Sequence, residues 1–200
     1  MPRVSAEYLA ARREHILAAA AARFARDGFH RTSMQDVIGE AGLSPGAVYR
    51  YFRSKDEIII AISMDAIGSV QALVRDALRT HQPIADLVAG LPRAIAHLDQ
   101  ADVRMRLAVQ AWGEALRNPD LAAALQDGLD GLRSALRERI VLGQRDGDVA
   151  ERVDADAVGG VLLALVQGFI LQRSWDPELS AETYGAAARD VVGGLLTRPS

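Results

Sequence analysis

The sequence holds no cysteine among its 200 residues. That excludes a disulfide framework, a thiolate metal site and a cysteine nucleophile. Histidine is scarce, with only His15, His30, His81 and His97. None stands in an H-E-x-x-H or E-x-x-H spacing, so neither a zincin nor a helical di-iron site is signalled. G-x-S-x-G, P-loop and dinucleotide fingerprints are missing as well. No catalytic residue, no metal and no cofactor is therefore expected, and the chain reads as a non-enzyme. No run of about 18 uncharged apolar residues occurs, and the opening M-P-R-V-S-A-E has no apolar signal core. A cytoplasmic protein with no membrane partner is the expectation. Alternating apolar and polar residues are also lacking, which leaves no strand pattern.

What is present favours helices. Half the residues are apolar and only 5% aromatic, with alanine, leucine and valine abundant. Residues 6–27 carry Ile16, Leu17, Ala20 and Phe24 on one stripe, closed by Gly28. A long helix is expected from Ser54 to about Arg79, broken by the H-Q-P of 81–83. Leu87, Leu91, Ile95 and Leu98 mark a helix over 84–99, and 101–117 forms another that stops at Asn118–Pro119. Leu121, Leu125, Leu129, Leu132, Leu136 and Ile140 form a stripe over 120–143, closed by Gly143. The predicted class is all-α.

The densest pattern lies between Thr32 and Lys55. Thr32 reads as an N-cap with Gln35 completing a capping box, and Gly42 as the left-handed stop of that helix. Ser44 caps the next helix with Pro45 in its first position. Helix, glycine turn and helix within about 20 residues is the helix-turn-helix pattern. On the second helix Val48 and Phe52 point inward. Gly46, Ala47, Tyr49, Arg50 and Arg53 make a poor solvated surface but a good nucleic-acid face: the small residues allow close approach, the tyrosines reach phosphate and Arg50 reaches phosphate or guanine. Ser54 and Glu57 read as a second capping box, which sets Lys55 beside a helix N-terminus suited to an anion. Arg3, Arg12 and Arg13 are further candidates for phosphate or minor-groove contact. Charge agrees. Residues 1–56 carry nine basic against six acidic side chains, a balance of +3, whereas the whole chain stands at −3. A basic head on an acidic body is the layout of a DNA reader.

Residues from about 8 to 62 resemble the DNA-binding domain of the TetR family of bacterial transcriptional regulators. Phe24, Gly28, Phe29, Thr32, Val37, Ala41, Gly42, Ser44, Gly46, Val48, Tyr49, Tyr51, Phe52, Ser54, Lys55 and Glu57 carry the likeness. The resemblance implies an N-terminal three-helix helix-turn-helix domain over 1–56 and a C-terminal helical-bundle domain for ligand binding and dimerisation over 57–200. By position it implies phosphate contacts from Tyr49, Tyr51 and Lys55, with Thr32 or Ser33 assisting. It sets Gln35, Gly46, Ala47 and Arg50 toward base edges. The partners expected are a double-stranded, palindromic DNA operator and a small-molecule inducer of unknown identity that releases it. Lys55→Ala is expected to weaken binding to all sequences and flatten its salt dependence by about one unit per head.

The body carries two further expectations. Residues 155–172 are apolar almost all round, and 181–196 add more apolar surface than one body can cover. A self-complementary twofold interface follows, with Leu162, Leu165, Tyr184, Val191, Val192 and Leu195 as its candidates and Gly193 and Gly194 allowing close approach; the family likeness implies the same homodimer. For the ligand cavity implied by the resemblance, Met64, Met105, Trp112 and Phe169 supply large or adaptable apolar side chains. Gln110 and Gln167 are the polar groups beside them.

Overall fold

The computed structural model describes residues 5–80, 82–98 and 101–196, with the side chains of Ala101 and Leu195 outside that description. Arg3 and His81 lie outside the described residues. Helices are the only regular structure among those described, and they run α1 (Ala6–Asp27), α2 (Met34–Ala41), α3 (Pro45–Tyr49), α4 (Lys55–Arg79), α5 (Ile84–Ala96), α6 (Ala101–Ala115), α7 (Pro119–Asp146), α8 (Ala155–Trp175) and α9 (Ala181–Leu196).

Local chemistry sets most of their ends. Ser5 caps α1 by accepting from the Tyr8 N–H, and Asn118 caps α7 by accepting from Leu121 ahead of Pro119. Asp154 accepts from the N–H groups of Asp156 and Ala157 at the start of α8. The expected stop of α7 at Gly143 is corrected by the structure. The helix runs on to Asp146 and ends at Gly147, which takes the left-handed conformation at φ 85°. Gly143 serves a different need: a Cβ there would stand 2.8 Å from Val149 Cγ2, so it lets the following loop fold back onto α7.

Two apolar clusters hold the helices together. One joins Ile16, Phe24, Val37, Val48 and Ile58 of the first four helices with Phe52, which lies between α3 and α4. It continues without a break into Leu107 and Ala111 of α6 and Leu121 and Leu125 of α7, so buried apolar contacts cross residue 56. The other fills the body between α4, α5, α7, α8 and α9. There α4 and α8 both pack along α7, and α9 packs on α5. By length and composition α4 and α8 would each be able to cross a membrane, yet both are stitched into this bundle.

A close crossing occurs at Gly185. A Cβ there would lie 2.2 Å from the Ala89 carbonyl oxygen, so α9 meets the α5 backbone directly. Gly193 and Gly194, expected to serve close approach, have nothing within 4 Å of such a Cβ within the protomer. Two of the expected interface residues are also corrected, because Leu162 and Val192 are only 2% and 1% exposed and belong to the protomer's own core. Leu165 packs partly against that core, and Tyr184 donates its hydroxyl hydrogen to the Leu165 carbonyl at 2.8 Å. Burial pushes the Tyr184 phenol above its ordinary range. Val191 does face outward at 58% exposure. It is joined by residues not expected: Val161, Ala164 and Trp175, which share one exposed face of α8 at spacings of three and eleven.

Candidate nucleic-acid interface

The helix-turn-helix is built from α2, the Gly42 turn and α3. Gly42 adopts φ 63° and ψ 30°, and its N–H reaches the Ile38 and Gly39 carbonyls. Ser44 caps α3 by accepting from the Ala47 N–H, with Pro45 next. The cap of α2 differs from expectation by one residue. Ser33 Oγ, not Thr32, accepts from the Asp36 N–H at 3.2 Å, and Asp36, not Gln35, returns the bond from the Ser33 N–H at 2.9 Å. Thr32 is 1% exposed and donates Oγ1–H to the Gly28 carbonyl at 2.8 Å, so its hydroxyl is spent inside the fold. Hydrogen bonds from Ser33 hold the Asp36 carboxyl below the usual carboxylate range. The second capping box is also half-formed: Ser54 accepts from Glu57, but the Glu57 carboxylate accepts from Arg53 N–H.

α3 is short. Arg50 is its C-cap, and Tyr51 and Phe52 turn back with their N–H groups on the Val48 carbonyl. Val48 and Phe52 are buried as expected, at 0% and 3%. Gln35, Gly46, Tyr49 and Arg50 are exposed, Ala47 and Tyr51 half-buried. Charge is sorted across the head. Arg23 pairs with Asp27 and Asp36, and Arg26 with Glu40, so α1 and α2 neutralise each other. Arg13, which stacks over the Phe52 ring at 5.3 Å, Arg50 and Arg53 have no acidic partner among the described residues. The uncompensated positive charge therefore gathers around α3.

Lys55 is placed differently from the free anion site expected of it. Its ammonium donates to the Phe29 carbonyl at 2.7 Å and the Thr32 carbonyl at 3.0 Å, so two of its three N–H bonds clasp the α1–α2 loop. That loop is gripped from the body as well. Gln110 Oε1 on α6 accepts from the Phe29 N–H at 3.1 Å, and Glu114 on α6 lies 3.0 Å from His30 Nε2. His15 reaches the Ala41 carbonyl at the end of α2, at 2.8 Å. His97 is exposed, with Nδ1 against its own helix at the Arg93 carbonyl.

Between α4, α6, α7 and α8 the body holds a small, partly open apolar cavity of about 80 Å³. Met105, Trp112 and Gln167, three of the candidates for a ligand cavity, line it. Gln110 does not, because its amide serves the Phe29 loop. Phe169 is fully buried against the Tyr184 ring, at 5.2 Å between centroids. Met64 faces a separate open groove beside Arg13 and Tyr51. No sequence signal announced Gln110 as a link, since its partner lies 81 residues away.

Residues 16–62 match the family described as "Bacterial regulatory proteins, tetR family", and residues 83–197 match "BetI-type transcriptional repressor, C-terminal". The chain belongs to the TetR family. It is a DNA-binding transcriptional regulator with an N-terminal helix-turn-helix and a helical C-terminal domain. The HTH-type transcriptional regulator UidR of Escherichia coli K12 is 27% identical over 185 residues, covering 92% of this chain and 93% of the relative. The HTH-type transcriptional repressor Rv1474c of Mycobacterium tuberculosis is 32% identical over 148 residues, 70% of this chain and 75% of that one. Among solved structures, GusR of Salmonella enterica superposes with a TM-score of 0.81 at 25% identity, covering 98% of this chain and 99% of that one. FadR of Bacillus subtilis, solved in complex with stearoyl-CoA, shares the fold at a TM-score of 0.78 and 16% identity, over 92% and 99% of the two chains. These TetR-family relatives are regulators rather than enzymes.

Proposed function

We propose that this TetR-family regulator is a cytoplasmic repressor that binds a palindromic operator as a homodimer and lets go when a small molecule fills the body cavity. Residues 1–56 act as the reading head and 57–200 as the sensing and dimerising body. One observation carries the reading. The cavity wall includes α4 and α6 residues, and the same two helices grip the α1–α2 loop through Lys55 and Gln110. A molecule that parts α4 from α6 therefore pulls on the head.

In the head, Gln35, Gly46, Ala47 and Arg50 face base edges, while Ser33, Tyr49, Tyr51 and the remaining N–H of Lys55 meet phosphate. Thr32 has no part in this, being buried. The dimer forms through the outward face of α8 and α9, where Val161 is 49%, Trp175 66% and Val191 58% exposed. Twofold pairing there sets two α3 helices toward successive major grooves. Relatives support the reading in part: Rv1474c is a repressor, and FadR holds an acyl-CoA within the same fold.

The test is a salt titration of binding to the DNA beside the protein's own gene, with the size of the complex measured. A palindromic footprint, an even subunit number and a log–log slope of about −5 to −9 are expected for roughly 6 to 10 phosphate contacts. Val161→Glu should give helical monomers in sedimentation that bind this DNA poorly. Failure to bind DNA at any low salt, or a Val161→Glu variant that stays dimeric, refutes the corresponding half.

A further inference from the structure

The cavity walls are hydrocarbon almost throughout. Ile62, Val70, Leu129, Val166 and Ile170 are typical of them, with the Trp112 ring along one side, and no described aspartate or glutamate lines the space. Among the described residues only Ser63, Gln167 and Arg104 bring charged, hydroxyl or amide side chains to it. A sugar or polyol would have to desolvate many hydroxyls here, and two neutral side chains cannot replace the lost hydrogen bonds. Arg104 is the one cation among these described lining residues. Arg104 on α6, with 34% of its side chain exposed, donates from Nη1 to Asp65 Oδ2 on α4 at 3.1 Å. Asp65 is 63% exposed and makes a solvated, readily exchanged partner.

We infer that the inducer is an apolar acid whose hydrocarbon part enters the cavity and whose carboxylate takes Arg104 from Asp65. The inference rests on the reading of this cavity as the inducer site. Arg104 offers a planar fork of N–H donors that matches a carboxylate with two parallel bonds. On the apolar side of the rim that bond is less screened than the exposed one to Asp65. The exchange forms one ion pair and breaks another, so no buried charge is left over. It also removes a tie between α4 and α6, and α4 begins at the lysine that clasps the reading head. The ligand's acid group is thus both its anchor and its signal.

The test uses the full chain with Trp175→Phe. Trp175 is exposed and the chain has two tryptophans, so Trp112 then reports on the cavity alone. Dodecanoic acid below its micellar concentration, its methyl ester and glucose are titrated while indole fluorescence is followed. The acid should bind roughly tenfold or more tighter than the ester, the yield of one charge-assisted bond, and glucose should not bind. Arg104→Gln should bring acid and ester together, and Arg104→Lys should restore part of the difference. Asp65→Asn, which frees Arg104, should tighten the acid without changing the ester. In a parallel DNA-binding assay on the chain with Trp175 retained, since Trp175 belongs to the proposed dimer face, the acid should release the operator at concentrations where the ester does not. Equal affinity for acid and ester in the Trp175→Phe protein, or binding of glucose alone, overturns the ligand class. If operator binding is sound while the acid preference is missing, only the ligand class fails. If the acid binds through Arg104 but no DNA is ever held, the regulatory reading fails and the ligand class stands.

Discussion

Lys55→Met separates two roles that one residue type serves equally well on paper. Methionine keeps most of the apolar stem and removes the ammonium, so the bonds to the Phe29 and Thr32 carbonyls are lost together. Hydrogen bonds from a charged donor contribute about 1.5–3 kcal/mol each. Lys55 is half-buried, so water recovers part of what the two carbonyls lose. The net cost should then be about 2 kcal/mol. With an m-value of roughly 2 kcal/mol/M, the urea midpoint should fall by about 1 M. The salt slope of operator binding should change by less than about one unit per head, since one N–H at most was left for phosphate. Circular dichroism in urea and a salt titration on the same preparation read both quantities. An unchanged midpoint with a slope flattened by a full unit per head would refute the clasp and restore Lys55 as a free phosphate contact.

Two other outcomes follow from the packing and the caps. Gly185→Ala should destabilise the chain by about 1–3 kcal/mol in a thermal or urea melt, because its Cβ meets the Ala89 carbonyl and a backbone oxygen cannot swing aside. Gly90→Ala, whose Cβ meets nothing within 4 Å on α5, should instead be neutral or stabilising by up to about 1 kcal/mol. Asp36 has a folded pKa below its unfolded value, chiefly through the Ser33 hydrogen bonds. Its contribution is therefore complete above the unfolded value of about 3.9 and is lost as pH falls through the folded one. An acid melt followed by circular dichroism should show Ser33→Ala losing less stability than the parent over that window; equal losses would contradict the capping bond.

Much of the fold was legible from the periodicity of apolar residues, because helix boundaries such as Ala6–Asp27 and Lys55–Arg79 are set by local caps and breakers. Where two registers satisfied the same local rule, the sequence had no means to choose. Thr32 with Gln35 and Ser33 with Asp36 are both hydroxyl-and-polar pairs three apart. Burial decided between them, since the Thr32 side chain is drawn back under the loop to Gly28. α8 posed the converse difficulty. An all-round apolar helix does not state which side is core, so Leu162, expected at the dimer interface, is buried within the protomer while its neighbour Val161 faces outward. Gln110 is expected among the polar groups beside the cavity, whereas its amide oxygen accepts from the Phe29 N–H, 81 residues away in the chain.

The hold on the α1–α2 loop has a consequence for engineering. Lys55 and Gln110 address the carbonyl and N–H groups of Phe29 and the carbonyl of Thr32, never their side chains. Main-chain atoms are common to every sequence, so a foreign reading head with the same loop length presents the same handles. A grafted head of other operator specificity therefore has to keep, besides that loop length, Lys55, the His30 contact with Glu114 and apolar side chains that pack on Leu107, Ala111, Leu121 and Leu125.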